Sequence, residues 1–274
     1  MKPPIGRDTR LCMSLSARPG NFGSRFQNHL YEALGLDYVY KAFSTQDLAG
    51  AIGGIRALNI RGCAISMPFK EACIPLLDEL APSAAAIESV NTIVNDDGHL
   101  RGHNTDYVAV AQLLEQHRVK PQTPFVLRGS GGMAKAVASA LRDAGLAQGV
   151  IVARNEDAGR RLAAACGYRW EPELGALRPA MLVNVTPIGM AGGRENEDLA
   201  FPEDAIAAAD IVFDVVALPS ETPLIREARA RNKRVITGAE VIVLQALEQF
   251  VLYTGQRPSS EQVRQAAEFA RAHS

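Results

Sequence analysis

The sequence predicts an α/β protein whose C-terminal part, from about residue 107, forms a doubly wound parallel sheet. Three observations support this prediction. Short apolar segments of strand length alternate with helical patterns in that part of the chain. A tight glycine turn, Gly129 to Gly132, separates one of these strands from a helix. The N-terminal part also alternates strands with helices, and polar side chains follow several of its strands.

The overall composition is that of an ordinary globular protein. Its 274 residues, 47% hydrophobic and 22% charged, predict one large or two medium domains. The net charge of −1, with dispersed Lys and Arg, argues against a nucleic-acid partner. We expect no membrane segment and no signal peptide, because the sequence has neither a long apolar run nor an apolar N-terminus. The four cysteines form no metal-binding pattern. They predict buried free thiols in a cytoplasmic protein.

The N-terminal part predicts an alternation of short strands and amphipathic helices. The pattern places strands at 10–14, 38–43 and 62–68, and helices at 25–34, 46–58 and 73–80. Thr45 is the expected cap of the second helix. A further strand begins at Ser89, and the Asp97-Gly98 pair that follows it predicts a hairpin turn.

Polar residues at the ends of these strands have both a functional and a structural interpretation. The hydroxyls of Ser14 and Ser16 suit a carboxylate ligand, but a Ser-rich loop also caps helices. Lys70 begins a helix, where its charge opposes the dipole. It is either a proton-transfer group at the sheet edge or a solvated lysine whose stem covers Phe69. Asp106 lies at a strand-to-helix boundary, where a helix cap is a sufficient explanation.

The segment around Gly129 predicts a dinucleotide site. Gly129, Gly131 and Ala134 fill the G-x-G-x-x-[G/A] pattern between a strand and a helix. The first glycine permits the turn, the second lets a pyrophosphate approach the backbone, and the alanine lets helix and strand pack closely. The free N–H groups of the first helical turn, which includes Gly132 and Met133, would bind the phosphates.

The next strand of this region ends at Ala153, and the residues after it indicate which dinucleotide is bound. An NAD-dependent enzyme usually has Asp or Glu here, whereas an NADP-dependent enzyme has an Arg nearby. Arg154 therefore favours NADP, although Glu156 or Asp157 could turn toward the ribose. Three more strands are expected, at 181–186, 211–216 and 234–238, before a long helix that begins near Glu240.

Several short motifs, in a consistent order along the chain, are similar to those of the shikimate dehydrogenase family. They are Met67-Pro-Phe-Lys-Glu71, Ser89-Val-Asn-Thr92, Gly102-His-Asn-Thr-Asp106, Gly129-Ser-Gly-Gly-Met-Ala134, Asn184-Val-Thr-Pro-Ile-Gly-Met190 and Gly238 to Gln245. The resemblance implies a substrate domain over 1–106, a Rossmann-type NADP domain over 107–239, and C-terminal helices over 240–274 that return to the first domain. It also implies hydride transfer between NADPH and the ring ketone of 3-dehydroshikimate.

The resemblance assigns roles to individual residues. Lys70 and Asp106 match the catalytic pair, in which the protonation state belongs to both groups together. Asn91 and Gln245 match ligands of the ring hydroxyls, and Ser14 and Ser16 match the serines that bind the carboxylate. The remaining matches are Ser66 for the substrate and, for the cofactor, Gly129, Ser130, Gly131, Gly132, Met133, Ala134, Arg154, Thr186 and Gly238.

The sequence departs from the family pattern at four places. The loop after the serines, 17–24, is longer, and alanine stands at 64, 153 and 217 where the family has polar side chains. We therefore expect a divergent member that is slow on shikimate or prefers a related cyclohexane carboxylate. Arg18 or Arg25 could supply a substitute carboxylate contact.

Three alternatives stay open from the sequence. The first is a quinate or aminoshikimate dehydrogenase, which could use NAD. The second, from a different functional class, is a non-catalytic NADP(H) sensor on the same fold. The third concerns assembly, since the sequence is compatible with a monomer or a homodimer.

Overall fold

The computed structural model describes residues 2–272, and their contacts divide the chain into two compact units. The first unit contains the described residues up to Thr105 together with those from Val243 onward. The second unit contains Asp106–Ile242. Among residues 2–272, no helix combines the length and the apolar character needed to cross a membrane.

A six-stranded mixed sheet forms the centre of the first unit. Its strands are β1 (Arg10–Leu15), β2 (Tyr38–Phe43), β3 (Gly62–Ile65), β4 (Glu79–Leu80), β5 (Thr92–Asp96) and β6 (His99–His103). They lie in the order β2-β1-β3-β5-β6-β4. β1 runs parallel to β2 and β3, whereas β5 is antiparallel to β3 and β6. The carboxyl ends of β1 and β3 therefore meet the amino end of β5 at one edge.

The second unit contains a six-stranded sheet in which every pair of neighbours is parallel. Its strands are β7 (Phe125–Arg128), β8 (Gly149–Val152), β9 (Arg169–Glu171), β10 (Met181–Asn184), β11 (Ile211–Asp214) and β12 (Arg234–Thr237). Their order is β12-β11-β10-β7-β8-β9, the order of a doubly wound dinucleotide-binding sheet, so the predicted fold class is confirmed. The strand order reverses between β7 and β10, where such sheets bind ligands.

Helices cover both sheets. They are α1 (Phe22–Ala33), α2 (Leu48–Ala57), α3 (Phe69–Ala72), α4 (Pro82–Ala85), α5 (Thr105–Gln116), α6 (Gly132–Asp143), α7 (Glu156–Cys166), α8 (Glu203–Ala208), α9 (Pro223–Ala230), α10 (Gly238–Thr254) and α11 (Ser260–Ala272). A single 3-10 turn, Ile74–Leu76, follows α3.

The C-terminal helices complete a core of the first unit. Phe250 of α10 stacks on Tyr31 of α1 with 5.4 Å between ring centroids. Ala266 and Ala270 of α11 are fully buried in the same cluster. Small side chains there let α11 approach α1 closely, and the cluster continues to Cys12 on β1. Each of the four cysteines is a buried free thiol, as the composition predicts.

Several local predictions in the first unit are wrong. The strand expected at 62–68 ends at Ile65, and the strand expected from Ser89 begins at Thr92. α2 is capped by Asp47, whose side chain accepts a hydrogen bond from Gly50 N, and Thr45 instead bonds to Asp47. The expected helix at 73–80 does not form. α3 ends at Ala72, and only the 3-10 turn Ile74–Leu76 follows it, because Pro75 has no N–H to continue the hydrogen-bond ladder and restricts the residue before it. α1 begins at Phe22 rather than at residue 25.

Candidate active site

Three segments of the first unit meet at the edge where β1 and β3 end. Ser66 N donates to Leu15 O at 2.9 Å, and Ala17 N donates to Met67 O at 3.1 Å. Ile65 N donates to Asn91 O at 2.8 Å. These backbone bonds bring the loop after β1, the turn after β3 and the residue before β5 together. The sheet edge thus gathers the first unit's predicted polar residues.

The two serines of the first loop have different surroundings. Ser14, within β1, is hydrogen-bonded to the phenol of Tyr40, so its hydroxyl has a structural partner. Ser16 is 8% exposed, and its Oγ has no hydrogen-bond partner among the described residues. A buried hydroxyl without a partner costs about 1–3 kcal/mol. A ligand oxygen at Ser16 would remove that cost.

Asn91 is the centre of a buried hydrogen-bond network. Its Oδ1 accepts from Thr105 N at 2.8 Å, and its Nδ2 donates to Thr105 Oγ1 at 3.0 Å. Nδ2 also lies 3.5 Å from Gln245 Oε1 on α10, at the limit of a hydrogen bond. Gln249, one turn further along α10, donates to Asn91 O and to Thr92 Oγ1. The weak contact to Gln245 is the one that a ligand hydroxyl could replace at least cost.

Lys70 is the second residue of the short helix α3 and is half-buried. Its backbone carbonyl accepts a hydrogen bond from Val90 N at 2.9 Å, which fixes α3 next to the segment that carries Asn91. Phe69 N donates to Ser66 O at 2.9 Å and closes the turn that precedes the helix. Lys70, Ser66 and Asn91 are therefore held on segments joined directly by backbone hydrogen bonds.

Asp106 is the first residue of the second unit and the second residue of α5. It is 4% exposed. Its position inside the first turn, rather than before it, means that the backbone role of a helix cap does not explain it. An acidic side chain in that turn still interacts favourably with the helix dipole.

The glycine turn of the second unit has the backbone that its sequence predicts. Gly129 has φ +127°, a conformation that only glycine adopts without strain, and a Cβ there would lie 2.8 Å from Val185 Cγ2. At Gly131, by contrast, a Cβ would meet no atom within 4 Å. Ala134 is completely buried in α6. The turn is therefore packed on one side and open at the start of α6, which fits a pyrophosphate at the free N–H groups.

A cleft of about 620 Å³ lies beside this turn within the second unit. Its lining includes Ser130, Arg154 and Thr186, as well as Arg128, which the sequence analysis did not single out. A charged residue that ends an apolar strand just before a glycine turn was the available signal for Arg128. The lining fits an adenosine with a phosphate near Arg154.

The residues after Arg154 cap and begin helix α7. Asn155 caps it, since its side chain accepts from Ala158 N at 3.0 Å. Glu156 pairs with Arg160 at 2.7 Å. Arg154 itself is exposed, and its Nη2 lies 3.7 Å from Glu195 Oε2. Glu156 and Asp157 both lie in the first turn of α7, and the lining of the cleft includes Arg154 but neither of these carboxylates.

A buried polar network lies at the ends of β10 and β11 in the second unit. Asp214, which is completely buried, accepts from Thr222 Oγ1 at 2.7 Å and from Asn184 Nδ2 at 3.0 Å. Asn184 Oδ1 in turn accepts from Thr186 Oγ1 at 2.6 Å, which fixes the turn after β10. Burial raises the pKa of Asp214 to about 6, although its hydrogen bonds oppose that rise.

Gly238 starts α10 where the chain passes very close to other backbone. A Cβ at this position would lie 2.3 Å from the carbonyl carbon and oxygen of Val216. Only glycine fits such an approach. The sequence predicts Gly238 in the cofactor site. Its close approach to Val216 is, by itself, enough to explain a glycine at this position.

Comparison with known proteins identifies the family. Residues 22–93 match the shikimate dehydrogenase substrate binding domain. A shikimate dehydrogenase-like protein of Haemophilus influenzae is 58% identical over 97% of this chain and 98% of its own length. The shikimate dehydrogenase (NADP(+)) of Chlorobaculum tepidum is 37% identical over 85% of this chain and 86% of its own. This chain belongs to the shikimate dehydrogenase family.

Solved structures of the shikimate dehydrogenase family and of a quinate dehydrogenase share the architecture. The Thermus thermophilus shikimate 5-dehydrogenase, in complex with NADP(H) and shikimate, has a TM-score of 0.85 at 29% identity, over 95% of this chain and 99% of its own. A quinate dehydrogenase from Corynebacterium glutamicum, in complex with NAD, has a TM-score of 0.86 at 26% identity, over 96% and 99%.

The departures from the shikimate dehydrogenase pattern can be located in the structure. Ala64 lies on β3 between Ser14 of β1 and Thr92 of β5, so this row of the sheet has no polar group at its centre. In the longer loop, Arg18 is exposed. Arg25 of α1 is half-buried, and its Nη1 is buried without a hydrogen-bond partner in residues 2–272. An unpartnered guanidinium nitrogen is costly and fits an anionic ligand.

Proposed function

We propose that this protein is an NADP-dependent oxidoreductase that interconverts shikimate and 3-dehydroshikimate, or a closely related cyclohexane carboxylate. The observation that carries the proposal is the polar edge of the first sheet, where Ser16 has a buried hydroxyl without a partner. Family membership supports the reaction type.

In this proposal Ser16 donates a hydrogen bond to the substrate carboxylate, with Ser14 and Ser66 beside it. Asn91 and Gln245 bind ring hydroxyls, and the long contact between their amides leaves capacity for such bonds. A hydroxy acid with several ring hydroxyls satisfies these donors and acceptors better than a simple alcohol would, because buried polar groups left unpaired weaken binding.

Lys70 is the proposed proton-transfer group, with Asp106 as its acidic partner. Oxidation of a secondary alcohol requires removal of the hydroxyl proton, and in the reverse direction the ketone oxygen must receive one. The Lys70 amine takes that proton, and the Asp106 carboxylate favours the resulting ammonium. Asn91, next to the segment bonded to Lys70, orients the ring.

The second unit would hold NADP, which when bound supplies the hydride acceptor for the alcohol and the hydride donor for the ketone. The glycine turn and the first turn of α6 bind its pyrophosphate, with N–H groups from Ser130 to Met133. Arg154 binds the 2′-phosphate, and Thr186 lies in the cleft lining near the turn. Ala134 and Gly238 allow the close packing that this arrangement needs.

The decisive assay is dinucleotide reduction with shikimate and NADP⁺, repeated with quinate and with NAD⁺. We expect turnover with shikimate and NADP⁺, and a fall in kcat of about 10²–10⁴-fold in Lys70→Met, because general acid–base catalysis contributes that much. Lys120→Met, at an exposed lysine, is the matched control. NADPH binding without turnover on any cyclohexane acid would contradict the proposal and favour a sensor.

A quinate dehydrogenase is the second candidate. The structural likeness to the quinate dehydrogenase of Corynebacterium glutamicum favours keeping it. Quinate carries an additional hydroxyl beside its carboxylate. Ala64, between Ser14 and Thr92 in the first sheet, offers no polar side chain and so changes the polarity of this row. Faster turnover with quinate than with shikimate in the same assay would decide for this candidate.

A further inference from the structure

Arg128 is an unusual residue for its position. It ends β7, whose other residues, Phe125 to Leu127, are completely or almost completely buried. Its guanidinium is half-buried, and burial lowers its pKa, with the charge of Arg154 as the next cause. Placing one cation in a half-buried site near a second cation is unfavourable unless an anion joins them. The position therefore calls for a negatively charged ligand.

The structure does not neutralise the Arg128 charge by a hydrogen-bonded carboxylate within residues 2–272. Its Nη1 donates to a neutral acceptor, the carbonyl of Ala200. Glu195 acts on it only at a distance, and the same carboxylate lies 3.7 Å from Arg154 Nη2. Glu173, also in the cleft lining, is exposed. Arg128 and Arg154 thus place two positive charges in the cleft, one half-buried and one exposed.

Both arginines line the same cleft, at the carboxyl ends of the neighbouring strands β7 and β8. The end of the second strand of such a sheet is where the ribose 2′ position is recognised. The pyrophosphate, in contrast, has its own binding groups at the start of α6. A phosphate monoester, which carries nearly two negative charges and several acceptor oxygens, matches two guanidinium groups.

We propose that Arg128 is a second cationic ligand of the 2′-phosphate and, with Arg154, sets the preference for NADP over NAD. The proposal rests on the proposed use of NADP by this chain. Arg128 contributes from inside the cleft, whereas Arg154 contributes from its exposed rim. The hydrogen bond to Ala200 O holds the Arg128 side chain in place before the ligand arrives.

The test measures the binding of NADPH and of NADH to the full chain directly, by calorimetry or by nicotinamide fluorescence. The variants are Arg128→Leu, which removes the charge, and Arg128→Lys, which keeps it. Arg169→Leu removes an exposed arginine that is not part of this cleft and is the matched control. NADH binding of the same variants reports whether the site is still folded.

We expect Arg128→Leu to weaken NADPH about 10–100-fold and NADH less than about 2-fold, since a charge-assisted hydrogen bond contributes that much. Arg128→Lys should lie between wild type and Arg128→Leu. Equal weakening of both dinucleotides would overturn the proposal, because it would make Arg128 a structural residue. Unchanged NADPH binding, or no preference for NADPH in the wild type, would also overturn it. Failure of shikimate turnover with selective NADPH binding retained would refute the proposed reaction and leave this subsite standing.

Discussion

Asp214 makes the stability of the second unit dependent on pH in an unusual direction. Its carboxylate is completely buried and accepts hydrogen bonds from Thr222, Asn184 and Val216 N. Burial nevertheless raises its pKa from the ordinary 3.8 to about 6. The folded state therefore binds the proton more tightly than the unfolded chain does. The free energy of unfolding should fall as the pH rises from about 4 through 6.

The size of the effect follows from the shift. A difference of about 2 pKa units between the folded and unfolded states corresponds to about 3 kcal/mol of unfolding free energy. Asp214 contributes this stability at pH 4, and the contribution is lost by pH 7. Asp214→Asn removes the titration while keeping the shape of the side chain. The difference in unfolding free energy between wild type and this variant should thus fall by about 3 kcal/mol over that range.

Urea unfolding between pH 4 and 7 measures this difference. The only tryptophan of the sequence, Trp170 on β9, belongs to the second unit and reports its unfolding by fluorescence. Asp210→Asn, at an exposed aspartate just before β11, is the control and should show no comparable trend. A constant difference between wild type and Asp214→Asn across the range would refute the reasoning.

Two further predictions concern ligand binding. Arg25→Ala should lower kcat/KM for the carboxylate substrate about 10–100-fold, because a charge-assisted bond to the substrate is lost. Arg18→Ala, at an exposed arginine, should change kcat/KM little. Steady-state kinetics that show equal values for both variants would exclude Arg25 as the carboxylate contact. Glu195→Gln should tighten NADPH binding about 2–5-fold without affecting NADH, since the carboxylate near Arg154 competes with the 2′-phosphate for this exposed arginine. Titration with both dinucleotides measures this, and weaker NADPH binding in the variant would contradict it.

Local signals were sufficient for most of the fold. Strands such as β10 and β11 are short, completely buried and apolar except for their last residue, because a parallel sheet is covered on both faces, and this made them recognisable. The Asp97-Gly98 turn has positive φ at both residues, as the hairpin requires. β4 and β9 were not predicted, since strands of two and three mostly polar residues carry no periodic signal. Their pairing depends on the neighbouring strands.

The candidate site could be predicted only in part. Family motifs pointed to Asn91 and Gln245, and the structure brings their amides within 3.5 Å of each other. The role of Gln249 could not be read from the sequence, because it depends on a contact between residues 158 positions apart. The buried, unpartnered Nη1 of Arg25 is likewise a property of packing. The catalytic and binding roles themselves stay predictions.

The division of the first unit between the two ends of the chain affects the order in which the protein can fold during synthesis. The core around Tyr31 and Phe250 needs α10 and α11, which leave the ribosome after the strands of the second unit. All six strands of the second unit precede Gly238 and emerge before them. Whereas domains usually fold from the N-terminus onward as they emerge, here the middle of the chain can complete its sheet first. The N-terminal segments must wait, with their apolar faces unburied, until α10 and α11 have also been synthesised.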